Sequence, residues 1–140
     1  MPSSRILAVV LPCAFLAAPA LAGMEDVKFD LSGLSQKDRN DIFQQATILG
    51  TVEAQFEYCG LRTEIVPRVT RAVEACVTTD SLTQVISEFR RSKSDMESSL
   101  QSEAVDCGDE KRLNWYRKTQ AALDSYIENI ARMCRNCLVC

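Results

Sequence analysis

The chain has 140 residues, with 16 basic and 19 acidic side chains, no histidine and a net charge of −3. That length suits one domain, and a mildly acidic balance argues against nucleic-acid binding through the overall field. Without histidine there is no Ser-His or Cys-His dyad, no histidine metal ligand and no c-type haem site.

The first segment reads as a cleaved signal peptide, residues 1–22. Arg5 supplies the positive start, Ile6–Ala18 is an apolar run interrupted by Pro12, and Ala20-Leu21-Ala22 gives the small-x-small pattern before a cleavage point. The run is too short to span a bilayer, which needs roughly 20 residues. Loss of Arg5 leaves 15 basic against 19 acidic residues, a net charge of −4. No membrane anchor is expected after cleavage, and the compartment is periplasmic or secreted.

Residues 23–34 show no helical period and hold two glycines, so they are expected to form an extended, mobile lead-in. Residues 35–140 are read as the helical domain. Ser35 is a candidate N-cap with Asp38 in the first turn, and Ile42, Ala46, Leu49, Val52, Phe56 and Cys59 form one apolar face ending at Gly60. A short second helix after Thr63 tolerates Pro67 only in its first turn, and Val66, Val69, Val73 and Cys76 make its stripe. The third helix begins in the Thr78–Ser81 turn with Leu82, Val85, Ile86 and Phe89 inward. Beyond Phe89 it thins to Met96 and Leu100 among serines, and this half is expected to be frayed or exposed.

The fourth helix has the cleanest periodicity. Leu113, Tyr116, Gln120, Leu123, Ile127, Ile130, Cys134 and Cys137 alternate at steps of three and four, which puts all eight on one stripe. Trp115 sits beside that stripe, either partly buried at its edge or acting as a partner-contact anchor. The predicted fold is all-α: an up-and-down four-helix bundle stapled by disulfides.

Cys13 leaves with the signal, and six cysteines remain: Cys59, Cys76, Cys107, Cys134, Cys137 and Cys140. An even count in an exported chain of this size reads as a disulfide framework. In an up-and-down bundle the cysteines sort by end. The end of the first helix meets the start of the fourth, pairing Cys59 with Cys107. Equal arms of the last two helices return Cys134 to the level of Cys76. Cys137 and Cys140 are then expected to close a local bridge.

Cys134-x-x-Cys137-x-x-Cys140 also admits two chemical readings, a soft-metal site for an ion such as Cu(I) or Zn(II) and thiol–disulfide exchange. The motif closes a helix instead of opening one, so the dipole raises the thiol pKa and disfavours redox chemistry. Carboxylates such as Glu53, Glu57 and Glu74 are read as a solvated face. So are the basic clusters Arg90, Arg91, Lys93 and Lys111, Arg112. No phosphate-binding or dinucleotide motif is present, no cofactor is expected, and no catalytic residue is assigned.

The stretch Glu57-Tyr58-Cys59-Gly60-Leu61, followed by a distant single cysteine at Cys107, resembles a diffuse group of small exported bacterial helical proteins of unknown function. The resemblance implies a periplasmic helical domain and no activity. The expected function is a non-catalytic module acting by contact with an unknown protein partner. The alternative is a soft-metal-binding or thiol-redox protein using Cys134, Cys137 and Cys140.

Overall fold

The computed structural model describes residues 28–137, with side chains described through Arg135. The signal peptide, the first residues of the lead-in and the proposed Cys137–Cys140 bridge lie outside the described residues. Four helices follow one another: α1 Gln36–Tyr58, α2 Ile65–Val73, α3 Thr79–Ser102 and α4 Glu110–Cys137. They form an all-α bundle.

Local chemistry sets the boundaries. Ser35 caps α1 by accepting the Asp38 N–H, and its hydroxyl donates back to the Asp38 carboxylate at 2.6 Å. At the other end Gly60 takes φ 75, the left-handed conformation that favours glycine. The Leu61 N–H then reaches back to the Phe56 carbonyl at 2.9 Å, which closes a Schellman turn. Thr78 caps α3 through the Ser81 N–H. Asp109 does the same for α4, its Oδ2 accepting from the Arg112 N–H at 3.0 Å.

Cross-helix contacts fix the directions. Thr47 meets Glu88, Thr51 meets Ser92 and Glu57 meets Lys93, so α1 and α3 run the same way. Arg68 meets Asp124 and Cys76 is bonded to Cys134, so α2 and α4 also run together. Tyr116, near the start of α4, meets Gln55 near the end of α1, so these two oppose each other. This is the up-and-down order, but the closest packing is between the parallel α1 and α3 and not between sequence neighbours. Gly50 permits it. A Cβ there would lie 2.3 Å from the Phe89 carbonyl oxygen and 3.0 Å from the Lys93 nitrogen.

The core is built from Ala46, Ile65, Phe89, Leu123 and Ile127, with Leu49, Val52, Val66, Val69 and Val85 packed against it. Cys59 is joined to Cys107 and Cys76 to Cys134, with Cα atoms 5.5 and 5.8 Å apart. These are the pairs that sorting the cysteines by bundle end predicts.

Two expectations are corrected. The serine-rich half of α3 continues as helix to Ser102. Ser92 is buried there, donating to the Thr47 carbonyl at 2.8 Å and sharing a 3.1 Å contact with the Thr51 hydroxyl. A small hydroxyl suits a seam this close because it fits the space and satisfies its own polarity. The described part of the lead-in is not loose. Phe29 pairs with the backbone on either side of Val77, accepting from the Thr78 N–H and donating to the Cys76 carbonyl. Leu31 follows in a short 3-10 turn, is buried, and donates its N–H to the Ser81 hydroxyl at 2.9 Å. Ser81 is almost fully buried. Two backbone–backbone hydrogen bonds, the Leu31–Ser81 hydrogen bond and one apolar anchor therefore strap the segment across the α2–α3 turn.

Candidate interaction surface

The end of the bundle holding the Cys59–Cys107 staple carries a cluster of three aromatic residues. Phe56, in the last turns of α1, is buried. Tyr116 reaches it from α4 with ring centroids 4.8 Å apart in an edge arrangement. The Tyr116 hydroxyl donates to the Gln55 carbonyl and contacts the Cys59 sulfur, each at 3.0 Å. A buried tyrosine needs such a partner, and Gln55 supplies it.

Trp115 completes the group. Its ring lies 5.8 Å from Phe56 and 5.1 Å from Tyr116, within the range of favourable aromatic pairs. The indole nevertheless remains 37 % exposed. It lines an open groove of about 370 Å³ together with Gln55, Asp109, Lys111 and Arg112. Trp115 is thus held by aromatic contacts yet stays part-exposed in a groove that two cations line. Tyr58 and Leu61, both exposed, lie at the same end.

Leu113 was expected on the buried stripe and is 43 % exposed. Tyr116, one turn further along α4, is the first stripe residue to be buried. By sequence Lys111 and Arg112 read as a solvated face, and the structure places both on the groove. Their spacing of four and three residues before Trp115 puts them on its side of the helix, which was the available signal for this groove.

The second polar cluster lies along α1 and α3. Glu53, which the sequence places on a solvated face, is buried, at 5 % exposure. Its Oε1 accepts the Ile65 N–H at 3.1 Å and the Thr63 hydroxyl at 3.4 Å. Glu64, which precedes α2, is left-handed and makes no side-chain cap, so Glu53 supplies the missing acceptor from a different helix. Burial raises the Glu53 pKa, against the lowering effect of the Ile65 hydrogen bond and Lys93. Lys93 is half-buried and not a freely solvated cation. Its Nζ lies 2.6 Å from Glu57 and 3.8 Å from Glu97. Burial works to lower its pKa, but the Glu57 hydrogen bond and the charges of Glu53, Glu57 and Glu97 together raise it. Arg90, Arg91 and Glu74 are exposed, as a solvated face requires.

At the opposite end Cys134 is buried and bonded to Cys76. The three-thiol set Cys134, Cys137 and Cys140 therefore loses one member, and the other two side chains lie outside those described. Among the described residues no group of three or more Cys, Asp or Glu side chains is placed to hold a metal ion. None of the described helices is long and apolar enough to cross a membrane. No protein-family model, no curated protein sequence and no solved structure matches this chain.

Proposed function

We propose that this is an exported, non-catalytic helical module that works by protein–protein contact, with the Trp115 end as its contact surface. The observation that carries the reading is the part-exposed indole fixed on a stapled, aromatic-packed platform. Large aromatic residues held rigidly at a surface bury much area at little entropic cost on association, and tryptophan and arginine dominate measured contact energies. Two long-range disulfides fit an oxidising compartment, periplasmic or extracellular. Cleavage after Ala22 would deliver the chain there.

The test is quantitative affinity capture from the native compartment, comparing the exported wild type with Trp115→Ala. A specific protein retained by the wild type and lost by the variant, with unchanged thermal unfolding, supports the reading. Identical capture by both would remove Trp115 from it. The soft-metal or redox alternative is read from the same preparation by metal analysis and a free-thiol count. Stoichiometric metal lost in a Cys137→Ser/Cys140→Ser variant would replace the contact reading.

A further inference from the structure

We infer that the Trp115 groove receives an acidic segment of a partner protein. This rests on the contact reading above and assigns the partner its chemistry. Three acidic groups at this end have partners, while Glu103 and Glu110 are exposed. Asp109 caps α4 through the Arg112 N–H, Asp106 accepts the Gly108 N–H at 2.8 Å, and Glu57 pairs with Lys93. Lys111 and Arg112 line the groove, yet the ion pairs among the described residues involve neither of them. Lys118 is exposed and follows Lys111 by seven residues, which puts Lys111, Trp115 and Lys118 in one row along α4. A chain that is acidic as a whole therefore presents uncommitted cations around an exposed indole.

The groove is open and lies between the end of α1 and the start of α4, whereas small-molecule sites enclose most of their ligand. A polypeptide segment suits an open groove better. Its carboxylates would meet Arg112, Lys111 and Lys118, Arg112 being able to take one in a two-pronged pair. An apolar side chain beside them would lie on the Trp115 ring.

Trp115 is the single tryptophan, so its emission reports on the groove directly. The exported chain with its disulfides intact would be titrated with a synthetic peptide of Glu, Asp, Leu and Phe. A second peptide carries Lys at every acidic position, and phosphatidylcholine–phosphatidylglycerol vesicles form a third arm. The expected result is a shift of Trp115 emission with the acidic peptide only. Lys111→Glu/Arg112→Glu should weaken that binding at least about tenfold, equivalent to about 1.4 kcal/mol. Raising ionic strength from ~0.05 to ~0.3 M should weaken it in the unaltered protein, which tests the charge dependence without any substitution. Absence of a shift at millimolar acidic peptide, binding that ignores charge reversal and salt, or binding to vesicles alone would each overturn the proposal. Tighter binding of the lysine peptide at Trp115 would also overturn it while leaving the contact reading in place. Failure of the contact reading shows separately, as identical partner capture by the wild type and Trp115→Ala.

Discussion

Glu53, in the C-terminal third of α1, accepts the backbone N–H of Ile65, the first residue of α2, at 3.1 Å. One helix thus caps another across the bundle, and the start of α2 is tied to a charge that burial disfavours.

That relationship sets a pH dependence. A carboxyl whose pKa is raised on folding contributes stability below its unfolded value, about 4.3 for glutamate. The contribution is lost as pH rises through the raised folded value. Glu53→Gln keeps an oxygen for Ile65 and Thr63 but removes the buried charge, so its melting temperature relative to wild type should rise as pH increases from about 4 towards neutrality. Glu53→Ala leaves both donors without their partner and should cost about 1–3 kcal/mol. Thermal unfolding across pH reads both, and equal damage by the two variants at neutral pH would show that the charge itself is needed.

The α1–α3 seam depends on Gly50. Alanine is the better helix former by about 1 kcal/mol, but its Cβ would sit 2.3 Å from a backbone oxygen that cannot rotate aside. Overpacking of this kind costs about 1–3 kcal/mol. Separating the helices would also stretch the contacts of Ser92 with Thr47 and Thr51. Gly50→Ala should therefore lower the melting temperature, whereas Gly33→Ala meets open space and should change it little. A higher melting temperature for Gly50→Ala would refute the close-approach account.

Ser81 anchors the N-terminal strap. Its hydroxyl accepts from the Leu31 N–H and from the Thr78 hydroxyl. Ser81→Ala should destabilise by about 1–3 kcal/mol and speed amide exchange at Leu31. Ser98→Ala, at an exposed site on the same helix, should stay within about 0.5 kcal/mol of wild type. Unaltered exchange at Leu31 in Ser81→Ala would mean the strap is held by other contacts.

The staples close separations of 48 and 58 residues. Each is worth about 4 kcal/mol in the chain-entropy model, against a total of about 5–15 kcal/mol for a domain. Removing both with serine pairs should unfold the chain or bring it close to unfolding at physiological temperature. Cys137→Ser/Cys140→Ser should leave the melting temperature nearly unchanged, because a loop of that size constrains the unfolded chain very little. Calorimetry on the three forms separates these outcomes.

Periodicity and capping chemistry are local, and they were legible in the order of residues. The caps at Ser35 and Gly60, the number and order of the helices and the stripe through Tyr116, Leu123, Ile127 and Cys134 follow from capping chemistry and spacing. The disulfide pairs followed because helix order and helix length alone bring those cysteines to common ends. Tertiary structure decided the rest. Glu53 reads as one more solvated carboxylate until the start of α2, left without a cap by Glu64, is placed against it. Nothing in the sequence marks Gly50 until the Phe89 carbonyl is placed beside it. The strap shows no period because its register comes from the edge of a turn some fifty residues away. Leu113 fits the stripe by spacing, yet it is left exposed near the start of α4. For Glu53, Gly50 and the strap the deciding partner is distant in sequence, and a periodic pattern carries information only about the helix that bears it.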